Sequence, residues 1–384
     1  MAEKKKTNTQ VNNPIKNIET GIVALDLVLG GGLPLGKIIE LNGDSGIGKS
    51  TLSLYLASRL AKQGKKIYYI DIERGVDEGI MRNMGLLNHL SMVIKTKEDT
   101  PDFGDKNFIL DQKASLYSEF QSAVDWCLGK DIKDRTKKPV RHENTPDLIV
   151  LDSLAMLTPD AAKEKDIASN VSNNMIASRY ATQTFKDLVG DLAETDTTLL
   201  FINHTQTKMK KMGFNMQVAY QDSAGSSMVK YGTDIRLYMD KPKEIIHKRK
   251  TIIGEQECRI GSTAELYTKK SRVEDNGIRM PIMLLDAFGV FNGYTLRPIC
   301  ENLGWITGAG GHYHVQDPII PKDSKVTEKG LYINGTEGVM LFCQQNANLI
   351  VQALKNTGSY RITLDRAEHH SLIDCVTKTL GAKK

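Results

Sequence analysis

Short apolar runs alternate with longer segments of helical period along the first 240 residues of the chain. Five runs are continuous and apolar, as is typical of strands buried on both faces of a parallel sheet. They are KIIELN (37–42), KIYYIDI (66–72), DLIVLD (147–152), TTLLFIN (197–203) and DIRLYM (234–239). Helical patterns lie between them, such as STLSLYLASRLAKQG from Ser50 and NMIASRYATQTFKDLVGDLAE from Asn174. This alternation predicts an α/β domain wound around a mostly parallel sheet.

The remaining segments suggest how the chain is divided. Residues 1–17 are polar and Lys-rich, which predicts a flexible arm. The 78 residues between Glu73 and Asp152 are too many for a bare connection, and we expect one helix there, near 114–128, flanked by surface insertions. The sequence changes character at about residue 289, which predicts a large core over 18–288 and a small α+β domain over 289–384.

Composition limits the classes of partner. The net charge is only +5, so any nucleic-acid site must be local. The five cysteines lack C-x-x-C spacing, which indicates ordinary thiols rather than disulfides or a zinc site. The Lys-rich start has no apolar signal region, and no apolar run approaches bilayer length, so we expect neither secretion nor a membrane partner.

The segment LNGDSGIGKSTL (41–52) has the G-x-x-x-x-G-K-S spacing of a phosphate-binding loop. An apolar strand enters it and an amphipathic helix leaves it, which is the context that the motif requires. Lys49 would reach the β- and γ-phosphates of ATP, and the Ser50 hydroxyl would ligate Mg²⁺. The other candidate nucleotide contacts in the loop are Gly43, Asp44, Ser45, Gly46, Gly48 and Thr51. Backbone N–H groups of such a loop face the phosphates, and the helix adds its positive end.

Three polar residues follow other predicted strands and would share the edge of the sheet with this loop. Asp152 is the candidate Mg²⁺ carboxylate, and Glu73 is the candidate base that orients and deprotonates the attacking water. His204 would sense the γ-phosphate. The sequence leaves two alternatives open: Glu73 as a simple cap or surface charge, and His204 as a buried histidine without a role.

A long basic segment, QTKMKKMGFNMQVAYQDSAGSS (206–227), follows His204. Its cations are Lys208, Lys210 and Lys211, and apolar side chains such as Met212 and Phe214 are interleaved with them. Ammonium groups that meet phosphates and apolar tips that stack on bases are typical of a loop that binds single-stranded DNA. The alternative is a surface loop with stray lysines.

Five ordered motifs together resemble the RecA-type recombinases, with the phage UvsX proteins as the nearer relatives. They are ETGIVALDLVLGGGLPLGKIIELNGDSGIGKST, YIDIERGVDEGIMRNMGL, LIVLDSLAMLTP, LLFINHTQT, and VKYGTDIRLYM with LYTKKSRV. The resemblance covers residues 18 to about 310 and implies a RecA-like P-loop ATPase core with a small C-terminal domain. It also implies the roles given above for Lys49, Ser50, Glu73, Asp152 and His204, and it adds Asp77 to the nucleotide-binding set.

The resemblance implies two DNA-binding loops, here about 160–175 and 206–225, the second ending near Gly225 and Ser226. Arg179, Thr182 and Lys186 on the intervening helix would meet the DNA backbone at about one-turn spacing. In the family, the position of TKKSR donates two cations to the ATP of a neighbouring subunit, which here would be Lys270 and Arg272. Cations of this kind contribute about 10³ to 10⁵ in rate to related phosphoryl transfers.

Several positions depart from the family pattern. A short Lys-rich arm stands where RecA has a docking helix, and Ile80 stands where an adenine-stacking tyrosine is expected. The second DNA loop ends in Gly-Ser-Ser rather than Gly-Gly, and the chain ends in GAKK without an acidic tail. The arm bears on how subunits polymerise, Ile80 bears on the contact with the adenine base, and the missing acidic tail bears on self-inhibition.

The resemblance implies an ATP- and Mg²⁺-dependent recombinase that forms helical filaments on single-stranded DNA and exchanges strands with a homologous duplex. Single-strand-binding and loader proteins are expected partners, and the cytoplasm of a phage-infected bacterium is the expected location. Two other functions stay open: a paralogue that mediates or regulates filaments without strand exchange, and a hexameric helicase of the same fold.

Overall fold

The structure is a computed structural model that describes residues 16–130, 137–160, 170–211, 217–223, 232–251, 254–272, 277–286, 288–326 and 329–357. For 170–182, 206–211, 217–223 and 249–251 the description concerns the backbone. The helices are α1 (Val23–Val28), α2 (Lys49–Lys62), α3 (Glu78–Met84), α4 (Tyr117–Cys127), α5 (Asn170–Thr195), α6 (Asn292–Asn302), α7 (Thr336–Gln345) and α8 (Ala347–Asn356).

Sixteen strands lie in the described part of the chain. They are β1 (Asn17–Ile18), β2 (Leu33–Pro34), β3 (Ile38–Gly43), β4 (Ile67–Asp71), β5 (Leu90–Ile94), β6 (Phe108–Asp111), β7 (Leu148–Asp152), β8 (Thr198–Lys211), β9 (Gln217–Ser223), β10 (Ile235–Thr251), β11 (Gly254–Ser271), β12 (Arg279–Leu285), β13 (Gly289–Val290), β14 (Ile306–Ala309), β15 (His312–Val315) and β16 (Leu331–Asn334).

The central sheet has the strand order β13-β12-β11-β10-β3-β8-β7-β4-β6-β5, with β9 attached to β8. Every pairing from β10 to β5 is parallel, whereas β10 to β13 are antiparallel. All five strands expected from the apolar runs are present. The predicted fold class, an α/β core around a mostly parallel sheet, is therefore confirmed.

Helices cover both faces of this sheet, which explains why its strands read as continuous apolar runs. On one face, the apolar side of α2 packs on Ile39 and Leu41 of β3. On the other face, Phe120 of α4 and Phe185 of α5 pack on the sheet, and the ring of Phe185 meets Phe201 edge-on at 5.0 Å.

The polar segment between Glu73 and Asp152 contains more than the single helix that we expected. Helix α4 lies where a helix was predicted, but strands β5 and β6 and helix α3 precede it, and both strands extend the parallel sheet beyond β4. Phe108, Ile109 and Leu110 are completely or almost completely buried there. The three-residue apolar run FIL (108–110) was too short to stand out from its polar surroundings.

Two hairpins extend past the carboxyl end of β3. Strand β8 pairs with β3 only as far as His204 and then pairs with β9, so the segment that we expected to be an irregular loop includes a two-stranded ribbon. The second ribbon is formed by β10 and β11, which stay paired from Lys243 to Thr251 after β10 has left β3. Such ribbons are supported by alternating side chains rather than by an apolar run, which explains why neither of them was predicted.

The C-terminal part has a separate three-stranded antiparallel sheet, β14-β15-β16, next to helices α6, α7 and α8. Its apolar residues form one cluster with Val23 and Leu27 of α1, so the beginning of the chain packs into this part. Strand β13, at 289–290, still belongs to the central sheet. The domain boundary at 289 stays a prediction. Within the described residues, no helix combines the length and apolar character needed to cross a bilayer.

Candidate nucleotide site

The phosphate loop joins β3 to α2, and two of its glycines are required by local geometry. Gly48, the residue before α2, has φ of 100°, in the left-handed region that favours glycine. A Cβ atom there would also lie 2.5 Å from Leu284 Cδ1. A Cβ atom on Gly43 would lie 2.8 Å from the carbonyl oxygen of Met239 on β10. The loop is therefore held tightly against the antiparallel half of the sheet.

Lys49 is the cation of the loop, and its side chain is folded into it. The Nζ atom donates hydrogen bonds to the carbonyl oxygens of Gly43 (2.9 Å) and Asp44 (2.8 Å). Burial lowers the pKa of the Lys49 ammonium, while the nearby Asp152 and Asp44 carboxylates act in the opposite direction. Among the other predicted nucleotide contacts of the loop, Thr51 is half-buried. Four are exposed to solvent: Asp44, Ser45, Gly46 and Ser50.

Asp152 lies at the carboxyl end of β7, directly beside Asp71 at the end of β4. Its Oδ2 atom accepts a hydrogen bond from the Tyr69 hydroxyl at 3.0 Å. Its Oδ1 atom is buried and has no hydrogen-bond partner among the described residues. Burial raises the pKa of the Asp152 carboxyl to about 6, although hydrogen bonds from Ser50 and Tyr69 oppose the shift.

These residues fit a magnesium ion. Mg²⁺ prefers oxygen ligands and is commonly held by one or two carboxylates together with water and substrate phosphates. An unpartnered carboxylate oxygen is costly to bury unless something else binds it. Asp152 Oδ1 and the Ser50 hydroxyl would hold the ion beside the phosphate loop.

Glu73 lies just beyond β4 and is in contact with two residues from neighbouring strands. Its Oε1 atom accepts a hydrogen bond from the Ser153 hydroxyl at 2.8 Å, and His204 Nε2 is 3.7 Å from the same oxygen. Asp71 holds the turn that presents Glu73, because its carboxylate accepts the backbone N–H groups of Gly75 (3.2 Å) and Val76 (2.9 Å). Glu73 is itself exposed to solvent.

Asp77 has a local structural partner. Its carboxylate accepts the backbone N–H of Ile80 at 2.7 Å and so caps α3. Its assignment to the nucleotide stays a prediction.

Lys270 and Arg272 do not join the phosphate loop of their own chain. They end β11, where Lys270 pairs with Arg236, opposite Glu40 in the first half of β3. Lys270 Nζ donates to the carbonyl oxygen of Thr233 at 2.6 Å, and Arg272 lies 3.4 Å from the Asp234 carboxylate. Asp234 is level with Ile38, five residues before Gly43, so Arg272 and the loop are about 17 Å apart along β3.

The predicted DNA contacts are only partly within the described side chains. Lys186 is exposed on α5, and the backbones of Arg179 and Thr182 belong to the same helix. Lys208, Lys210 and Lys211 lie on the part of β8 that pairs with β9. Met212, Phe214, Gly225 and Ser226, with residues 161–169 of the first predicted loop, lie outside the described residues.

Three residues near the site were not predicted. Ser153 contacts Glu73, Tyr69 contacts Asp152, and Arg259 on β11 donates to the Gly46 carbonyl oxygen at 3.3 Å. Tyr69 precedes Asp71 by two residues on the same face of β4, so sheet periodicity offered a signal for Tyr69. For Ser153 the only signal was its position directly after Asp152. Nothing in the sequence indicated that the distant Arg259 would reach the loop.

Comparison with known proteins agrees with this geometry. The family model of the RecA N-terminal domain matches residues 4–112 and 133–265. Protein RecA of a Nitratiruptor species is 27% identical over 262 residues, which are 68% of this chain and 63% of that protein. Protein RecA of Sulfurimonas denitrificans is 26% identical over 261 residues, with the same two shares.

The matched region thus spans less than two thirds of the length of these relatives. The family model, in contrast, matches more than half of the chain, and the match runs through the phosphate loop, Glu73, Asp152 and His204. The chain belongs to the RecA family.

Proposed function

We propose that this chain is an ATP-dependent recombination protein that forms helical filaments on single-stranded DNA and pairs them with a homologous duplex. The observation that carries the proposal is the separation of the nucleotide site into two halves. The phosphate loop lies at the carboxyl end of β3, whereas Lys270 and Arg272 lie towards its amino end. Because these two cations do not reach the phosphate loop of their own subunit, we expect them to contact a nucleotide bound to the loop of an adjacent subunit.

The half-site with the loop has the groups that ATP hydrolysis needs. Lys49 would bind the β- and γ-phosphates, and backbone N–H groups at the start of α2 would bind the remaining oxygens. Glu73, oriented by the Ser153 hydroxyl, would accept a proton from water as that water attacks the γ-phosphorus. The products are ADP and inorganic phosphate. Asp152 and Ser50 would hold a magnesium ion, which would supply positive charge to the phosphate oxygens when bound.

His204 would connect the nucleotide to DNA. It contacts Glu73, and it is followed directly by the part of β8 that forms the basic ribbon with β9. A change in the position of His204 would therefore move the base of the predicted DNA-binding segment. This is the physical basis on which we expect ATP and single-stranded DNA to favour each other's binding.

The deciding experiment compares ATPase activity with and without single-stranded DNA, over a range of protein concentrations. We expect turnover to rise with DNA and with protein concentration, because the second half of each site comes from a neighbour. Electron microscopy should show open helical filaments. Closed rings that unwind forked duplexes would instead indicate a helicase, and filaments without strand exchange would indicate a mediator.

A further inference from the structure

We propose that Tyr69 and Ser53 are positioning residues for Asp152. Their hydroxyl groups hold one oxygen of the carboxylate, so that the other faces the divalent metal ion that accompanies the nucleotide. This inference rests on the proposed nucleotide site and adds two residues to it. Neither residue belongs to the phosphate-loop motif or to the metal-binding strand.

The hydroxyl groups of Tyr69 and Ser53 lie between the Asp152 carboxylate and the start of α2. The Tyr69 hydroxyl lies 3.0 Å from Asp152 Oδ2 and 2.8 Å from Ser53 Oγ. Ser53 Oγ in turn lies 2.9 Å from the carbonyl oxygen of Ser50. These contacts connect the first turn of α2 to β4 and to the end of β7.

The number of hydrogens fixes the direction of these bonds. An ionised carboxylate can only accept, so the single hydrogen of the Tyr69 hydroxyl goes to Asp152 Oδ2. Ser53 must then supply the hydrogen between itself and Tyr69. Because Ser53 has a single hydroxyl hydrogen, it cannot donate to the Ser50 carbonyl oxygen at the same time. A tyrosine hydroxyl is protonated at neutral pH, so Tyr69 remains a donor.

Burial and packing hold the donor in place. Tyr69 and Ser53 are both 0% exposed and Asp152 is 4% exposed. The Tyr69 ring packs against Phe108 with ring centres 6.3 Å apart. A donor that cannot rotate away limits Asp152 to one orientation, in which Oδ1 is the oxygen without a hydrogen-bond partner among the described residues.

The adjacent tyrosine shows what an ordinary buried tyrosine–aspartate pair looks like in the same strand. Tyr68 faces the opposite side of the sheet, and its hydroxyl donates to Asp111 Oδ2 at 2.8 Å. Asp111 Oδ1 also has partners, the backbone N–H groups of Lys113 (2.9 Å) and Ala114 (3.3 Å). Both oxygens of Asp111 are used within the protein, whereas one oxygen of Asp152 is kept for another ligand.

The test is the metal dependence of nucleotide binding by the full chain, without DNA. A fluorescent ADP is titrated in the presence of increasing Mn²⁺, and bound Mn²⁺ is measured in parallel by electron paramagnetic resonance. We expect Tyr69→Phe to raise the Mn²⁺ concentration at half-saturation by about 10- to 100-fold, as for other residues that orient metal ligands. The metal-free affinity for ADP should stay within about twofold of wild type, because Tyr69 does not face the phosphates.

Tyr68→Phe is the matched control, since it removes the same hydroxyl from the same strand. It should leave half-saturation within about twofold of wild type. Ser53→Ala removes only the hydrogen bond from Ser53 to Tyr69, and it should raise the Mn²⁺ concentration at half-saturation about threefold. Ser53→Ala becomes the test variant if Tyr69→Phe does not give the wild-type circular dichroism spectrum and melting curve. An unchanged half-saturation in the folded test variant, or an equal shift in Tyr68→Phe, would overturn the proposal. Wild-type protein that binds no Mn²⁺ with ADP would instead overturn the nucleotide site itself.

Discussion

The two ends of strand β3 present different chemistry. At its carboxyl end lie the phosphate loop, the buried Asp152 and the Glu73–His204 contact, which are the groups expected to bind and hydrolyse a nucleotide. Towards its amino end lie the two predicted cations, each held by groups of its own subunit, Thr233 and Asp234. The carboxyl end thus has the phosphate loop but lacks the two cations. The amino end has the two cations but lacks a phosphate loop.

This difference teaches how activity can depend on assembly. Along β3, Lys270 is about 10 Å and Arg272 about 17 Å from the loop of their own subunit, so they do not complete that site in this fold. Two subunits stacked with the amino edge of one on the carboxyl edge of the other can do so. The comparison leads to three predictions, each of which alters one end of β3 while leaving the other intact, and a fourth prediction concerns the DNA surface.

Removing the cations should have the largest effect. The double variant Lys270→Ala/Arg272→Ala should lower DNA-stimulated kcat by about 10³- to 10⁵-fold, because charge on the transferring phosphoryl group would lose its partner. Nucleotide binding by the isolated subunit should be unchanged. Lys269→Ala is the control, since Lys269 is an exposed cation on the same strand that contacts the Tyr238 ring. Mixing the double variant with Lys49→Ala subunits should restore part of the activity, and no restoration would argue against a shared site.

Glu73→Gln should lower kcat by about 10²- to 10⁴-fold, because the amide cannot accept the proton of the attacking water. It retains an oxygen for the Ser153 hydroxyl, so nucleotide binding and filament formation should persist. Single-turnover measurement of ATP cleavage gives the rate directly. The exposed Glu78, which forms an ion pair with Arg82, provides the control variant Glu78→Gln. Normal turnover in Glu73→Gln would show that another group is the base.

Lys49→Ala should weaken ATP binding by about 2 to 5 kcal/mol, a loss of roughly 30-fold or more, because the phosphates would lose a partly buried cation. The loss should be visible in equilibrium titration with a fluorescent nucleotide. Lys62→Ala, at the other end of the same helix, should bind as wild type does. Equal binding by wild type and Lys49→Ala would remove the loop from the proposed site.

The smallest expected effect concerns DNA. Lys186→Ala should reduce the slope of log affinity against log salt concentration for single-stranded DNA by about 0.7, the value expected when one phosphate contact is lost. Affinity at one salt concentration would change only modestly. Lys62 lies on the opposite face of the sheet from α5, so Lys62→Ala should leave the slope unchanged. A slope that is the same in both variants would exclude Lys186 from the DNA surface.

The sequence was most informative where the chemistry is local. The phosphate loop is a contiguous motif between a strand and a helix, so its position, its glycines and the fold class could all be predicted. Glu73, Asp152 and His204 could be predicted because parallel strands bring their carboxyl ends to one edge. The structure places these three residues close to the loop, although their roles stay predictions.

Other features depend on long-range packing and could not be predicted. The contact from Arg259 to Gly46 joins residues 213 positions apart through a ribbon that has no apolar signature. The separation of Lys270 and Arg272 from the loop depends on the register of β10 on β3 and of β11 on β10, which no local pattern encodes. The hydroxyl chain from Ser53 through Tyr69 to Asp152 requires three elements to meet in three dimensions.

The ribbon formed by β10 and β11 also offers a place for an optical probe. Cys258 is next to Arg259, the residue that donates to the Gly46 carbonyl, and it is only partly buried. The other cysteines in the described part of the chain, Cys127, Cys300 and Cys343, are buried. With Cys375 replaced by serine, a maleimide dye would attach selectively to Cys258. Its fluorescence would then report events at the phosphate loop in real time, without any modification of the nucleotide.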